Sequence, residues 1–181
     1  MSNNDLGLLA LRLGIGGTLV AHGAQKLFGG GIETYTGAMH AMGFRPGKRN
    51  AVLAGASEVG GGALLALGLA TPVGGAVAAA AMAAAVTVHK PNGFFTTSGG
   101  FEYPAVLGLT SVALAVGGPG RYSLDAATGH ALNKPWVTVL ALAAAGVGAT
   151  LTIRQRQAAV AADAQESADA PADGPETPVA S

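Results

Sequence analysis

The chain has 181 residues, of which half are hydrophobic and only 11% are charged, against about 25% charged in an ordinary soluble domain; a water-exposed surface is hard to build from that. Cysteine is absent, which excludes disulfides, iron–sulfur clusters, thiolate zinc sites, c-type haem attachment and cysteine nucleophiles within the chain. The formal charge of zero is unevenly laid out: residues 1–156 hold all ten Lys and Arg with only Asp5, Glu33, Glu58, Glu102 and Asp125, and the other five acids follow Arg156 with no basic residue among them. The bases are scattered and aromatics make up only 5%, so no basic stripe or stacking platform supports nucleic-acid binding.

Leu6 to Ala21 is apolar apart from Arg12, and the helical pattern runs on through Gln25 and Lys26 to Phe28, enough to cross a bilayer. Asp5 stands where a secretory signal would carry Lys or Arg, which favours an uncleaved span. Ala51 to Ala70 is a second run, broken by Thr71-Pro72 before Val73 to Val88 begins a third; helices joined so tightly must be antiparallel. Pro104 to Gly117 is short, about 21 Å at helical rise, and Gly118-Pro119-Gly120 stops it. Trp136 to Ile153 opens after Pro135 on an interfacial aromatic and closes on Arg154 and Arg156. None of these segments carries a polar face, and a short chain cannot bury five helices that are apolar all round. The expected fold is an all-α integral membrane protein: a four-helix transmembrane bundle in residues 1–128, an additional C-terminal transmembrane helix in 129–156, and a disordered acidic Ala/Pro-rich tail in 157–181.

Small residues recur four apart within the spans, as in Ser57/Gly61, Gly62/Ala66 and Gly74/Ala78, a spacing that permits close helix approach and that an Ala/Gly-rich composition also produces by chance. Arg45, Lys48 and Arg49 make the connection 29–50 the densest basic loop, which places it in the cytoplasm, with the N-terminus outside and the C-terminus inside a bacterial cytoplasmic membrane.

Ionisable groups in membrane spans face one another or a hydrated cavity, and here they are few. His22 and Lys26 end the first span, Glu58 lies inside the second, His89 ends the third with Lys90, and Glu102 begins the fourth with Tyr103; up-and-down connectivity brings all of these to one side of the membrane. His22 and Lys26 are four apart on one helical face, and Arg12 lies about 40° from Lys26 on the same wheel. Glu58 is the one acid embedded within a span, and Arg12 or Lys26 is its natural partner. The cluster reads in two ways. It is a buried ion pair that orders the bundle, or a pocket for a polar headgroup such as a quinone carbonyl or an anionic substrate, with His22 and His89 as hydrogen-bonding groups. Bis-histidine haem ligation is a third reading, without other signals of a haem pocket.

On the opposite side, Arg121 and Asp125 are four apart after the turn residues of Gly118 to Gly120, as in a self-paired cap on a short surface helix. Neither glycine triplet, Gly29 to Gly31 or Gly60 to Gly62, is followed by Gly-Lys-Ser/Thr, and no His-Glu-x-x-His or Gly-x-Ser-x-Gly motif occurs. Phosphate loops, a metal site and ordinary hydrolytic machinery are not indicated.

Five spaced segments carry a family resemblance: HGAQKLFG at 22–29, EVGGGALLALGL at 58–69 leading to Thr71-Pro72, His89 with Gly93-Phe94-Phe95, GGFEYP at 99–104, and GPGRYSLD at 118–125. In this order they resemble the DoxX family of small bacterial membrane proteins. The resemblance implies a four-helix membrane protein linked to redox or sulfur metabolism, acting beside membrane-associated redox enzymes such as thiosulfate:quinone oxidoreductase; from its residues, the chain is expected to hold no metal or cofactor of its own. It supplies no established catalytic residues. The positions where motif and polar cluster coincide are His22, Lys26, Glu58, His89 and Glu102. A membrane scaffold or assembly protein, a small-solute transporter and an oligomer of this chain are all compatible with the same residues.

Overall fold

A computed structural model of the chain describes residues 3–169, which form seven α-helices joined by turns and two short 3-10 segments. Helix α1 (Asn3–Phe28) is 26 residues long, about 39 Å at helical rise. Gly29 and Gly30 lead into α2 (Gly31–Ala41), and α3 (Gly47–Leu67) returns beside α1. Its left-handed C-cap Gly68 turns the chain within three residues into α4 (Thr71–His89), which has Pro72 in its first turn. The 3-10 segments Lys90–Asn92 and Thr96–Ser98 connect α4 to α5 (Glu102–Gly117); α6 (Leu124–Ala127) and α7 (Pro135–Asp169) complete the order.

Among the described residues, the four helices long and apolar enough to cross a bilayer are α1, α3, α4 with its 3-10 extension, and α7; α5 is apolar but shorter, its 16 residues spanning about 24 Å. The molecule is thus an all-α membrane protein, and α7 supplies the additional C-terminal span. α3 is sandwiched between α1 and α4, while α4 also packs against α5 and α7. Leu19, Leu65, Ala78, Met82, Leu107 and Leu114 form the buried core from four of these helices. Long hydrophobic side chains such as Leu13, Leu109, Val139 and Val147 stay exposed, as expected of surfaces solvated by lipid.

Small residues at the α1–α3 contact do what their spacing allows. A Cβ on Gly62 would stand 2.6 Å from the Gly16 carbonyl oxygen, and one on Gly16 would stand 2.5 Å from the Gly62 oxygen, so the two backbones meet with no room for a side chain. Gly60 and Gly148, by contrast, have open space around them. Gly62→Val is therefore expected to cost about 1–3 kcal/mol by forcing α1 from α3, read as a lowered thermal midpoint in detergent, whereas Gly60→Ala leaves that midpoint within error.

Two expectations are corrected. The connection 29–50 is not a simple loop: α2 occupies it, with Ile32, Tyr35, Thr36 and Met39 half-buried on one face. Nor does order end at residue 156, because α7 runs without interruption to Asp169; residues 170–181 of the expected tail lie outside the described residues. Its Ala-rich sequence has high helix propensity, and Arg156 and Asp163 dock on the α2–α3 connection.

Candidate functional site

Three helices present stripes at helical spacing to one cavity. Asn50, Leu53, Ala54, Ser57 and Glu58 come from α3; Val77, Ala80, Ala81, Ala84, Ala85, Val88 and His89 from α4; and Ala145, Gly148, Ala149 and Thr152 from α7. The small side chains of α4 and α7 leave a void of about 440 Å³, within the range of small-molecule sites. Lys26 reaches its wall from α1, and Met39, Met42 and Phe44 roof it from α2 and the segment that follows.

The charged feature of the wall is an ion pair, with Lys26 Nζ donating to Glu58 Oε2 at 2.5 Å. Glu58 is 4% exposed, and the two side chains are held by different helices packed through Gly23, Gly55 and Val59. An ammonium has three donors and a carboxylate two acceptor oxygens, so the pair retains hydrogen-bonding capacity toward a cavity occupant. His89 adds a ring nitrogen. Its Nδ1 lies 2.8 Å from the Gly99 carbonyl oxygen; the carbonyl can only accept, so Nδ1 carries the hydrogen, and Nε2 is the ring nitrogen left to meet a cavity occupant.

The five predicted site residues do not form one cluster. Lys26, Glu58 and His89 line the cavity. His22 faces α5 instead, where Nε2 and the Tyr103 hydroxyl are 2.9 Å apart and the rings stack at a tilt. Glu102 closes the loop between α4 and α5, accepting from the Thr96 N–H at 3.2 Å. The up-and-down topology brings all five to the same end of the bundle, but helix rotation sends them to different faces.

The proposed structural ion pairs are likewise rearranged. Arg12 shares a face with Lys26 but lies about 21 Å from it along the axis, which puts it at the other end of α1 and out of reach of Glu58. There it is 1% exposed; Nη1 donates to the Leu65 and Ala66 carbonyls at 3.3 and 3.1 Å, and Nη2 donates to the Tyr122 carbonyl at 2.5 Å. Asp125 does not pair with Arg121. Fully buried, it accepts from the N–H groups of Ala70 and Thr71 at 2.9 and 3.0 Å and from the Thr71 hydroxyl at 3.0 Å. Exposed Arg121 is held through its backbone N–H, which donates to Asp5.

A cation thus caps the C-terminus of α3 and an anion caps the N-terminus of α4, each matching the helix dipole it meets. The α3–α4 turn is stitched from both sides, by Arg12 of α1 and by Asp125 of α6. Phe44 was not singled out in the sequence; Tyr103 and Arg156 stood out there only as the start of one span and the basic end of another, and Thr71 only as a helix start before Pro72.

Alternating apolar crossings around an ion-paired cavity define a multi-pass all-α membrane protein. The DoxX family model matches residues 7–90, from α1 to the end of α4, and this part of the chain is similar to the DoxX family. The segments 99–104 and 118–125, and all of α7, lie beyond that match. No curated protein matches the chain, and neither does any solved structure.

Proposed function

We propose that the protein is an accessory subunit of a membrane redox system, quinone- or thiol/sulfur-linked, whose cavity receives the polar head of a lipid-soluble redox molecule. The observation that carries this reading is the Lys26–Glu58 pair on the wall of an otherwise apolar cavity. An ion pair needed only to order the bundle has no use for adjoining empty volume. A quinone fits the residues present: Lys26 can donate to a ring carbonyl, Glu58 or His89 can accept from the reduced hydroxyl, and the alanines of α4 and α7 admit a flat ring. Such a molecule would supply the two-electron carrier chemistry, while the chain binds and orients it.

The four-helix unit in residues 1–128, the cytoplasmic placement of the 29–50 connection and association with a membrane-bound redox enzyme belong to the same proposal. Purification in mild detergent followed by organic extraction is expected to recover a quinone in near-stoichiometric amount, together with a co-purifying oxidoreductase. Extracts with neither, from protein that is folded and monodisperse, favour the second reading, a non-enzymatic scaffold in which the pair only holds α1 to α3.

A further inference from the structure

The cavity has two unlike boundaries. Its roof is fastened from α7 beyond the apolar span: Arg156 Nε donates to the Met42 carbonyl at 2.9 Å, the Arg156 guanidinium lies 5.6 Å from the Phe44 ring centroid, and Arg45 Nη2 pairs with Asp163 Oδ2 at 2.7 Å. Gly43 between them has φ +86, and a Cβ there would stand 2.6 Å from Val160, so the roof segment is seated directly on α7. The side boundary is different. α3 and α7 both line the cavity, yet both pack on α4 rather than on each other. Cavity-lining Leu53 and Gly148 are exposed, at the level of the apolar spans.

We infer that the cavity is loaded sideways from the bilayer, between α3 and α7, while the extension of α7 latches its water-facing end. This rests on the cavity being a ligand site, as proposed above, and it narrows the ligand class: a membrane-partitioned amphiphile with a hydrogen-bonding head, not a water-soluble thiol, sugar or anion. The apolar stripes of α4 and α7 take the body of such a molecule, and the Lys26–Glu58 pair meets its head. The small residues of α7 thereby gain a purpose beyond anchoring, since with larger side chains at Ala145, Gly148 and Ala149 the opening would be filled.

The natural absence of cysteine makes the test direct. A nitroxide is attached to Ser57→Cys in the cavity, to Ser98→Cys in the exposed loop and to Ser111→Cys in the core, in the full chain reconstituted in lipid nanodiscs. Collision rates are then measured with oxygen, which concentrates in the bilayer, and with a water-soluble nickel chelate. At position 57 the ratio of oxygen to nickel accessibility is expected to exceed that at 98 at least fivefold, with oxygen accessibility clearly above that at 111. Adding Arg156→Ala or Asp163→Asn should raise nickel accessibility at 57 severalfold and leave the oxygen value unchanged.

Nickel accessibility at 57 equal to that at 98 with the latch intact, or oxygen accessibility no higher than at 111, overturns the inference. So does a latch variant, monodisperse and helical, that leaves nickel accessibility unmoved; Asp163→Asn, at the more exposed contact, serves if Arg156→Ala does not fold. The experiment reads access alone, so lateral opening without recovered quinone sinks the redox reading, and recovered quinone with water access sinks this one.

Discussion

Arg12→Met is expected to be the most damaging single substitution in the protein, lowering stability by about 3–5 kcal/mol. The guanidinium spans three carbonyl acceptors, those of Leu65, Ala66 and Tyr122, and no methionine atom can donate to any of them. Two of these carbonyls belong to the last turn of α3, where helix carbonyls run short of partners; that of Leu65 also accepts from the Gly68 N–H at 3.1 Å. Asp125, fully buried on the same junction, would keep its hydrogen bonds to Ala70 and Thr71 but lose the nearby compensating cation. Arg12→Lys should rescue little, because one ammonium cannot reproduce a planar fork reaching two chain segments. The measurement is the unfolding midpoint in detergent together with the monodisperse fraction on size exclusion. Gly68→Ala gives an independent check, because a Cβ at Gly68 would stand within 2.8 Å of the Arg12 guanidinium carbon and 2.6 Å from Ser123. It should perturb the same end without removing a charge.

The second large effect belongs to the cavity. Glu58→Leu leaves Lys26 without its partner at a site 4% exposed on the carboxylate side, and the loss is expected to be about 3 kcal/mol or more. The double variant Lys26→Met/Glu58→Leu should recover most of that stability, since two apolar side chains of similar volume replace both charges and leave none unpaired. Its use is that it separates folding from function. If the pair recognises a ligand head, the double variant folds and assembles but retains no extractable quinone and does not support its partner's activity. If the pair is only a fastener between α1 and α3, the double variant behaves as the parent protein does in both assays. Thermal midpoints and quinone content from the same preparation decide between them.

The residues whose placement was legible in the sequence are those governed by periodicity and alternation. Apolar runs bounded by Pro72, Gly118 and Pro135 gave the spans because backbone groups in lipid must be satisfied within a helix, leaving few alternatives for such runs. Alternation of direction then placed Lys26, Glu58 and His89 at one end of the bundle. Pairing was harder. A helical wheel put Arg12 and Lys26 on one face but carries no information about rise, and rise is what gives Lys26 to Glu58 and Arg12 to the α3–α4 turn. The spacing of Arg121 and Asp125 suggested a local pair, and burial overrode it: a carboxylate surrounded by the first N–H groups of α4 is satisfied there, while an exposed arginine gains little from pairing in water.

By itself, then, the sequence determined that the chain is a helical membrane protein, where its apolar spans lie, and which polar residues share an end. These follow from hydrophobicity and local backbone chemistry, which act along the chain. Only the tertiary structure decided which of those residues meet. That His22 turns to Tyr103, that Glu102 closes a loop and that Lys26 and Glu58 flank a cavity depend on helix rotation. Rotation is set by close contacts such as Gly16 on Gly62, made between segments far apart in sequence. The roof follows the same rule: nothing local to Phe44 or Arg156 foretells their contact, which exists because α7 continues past the membrane and lies beside α4.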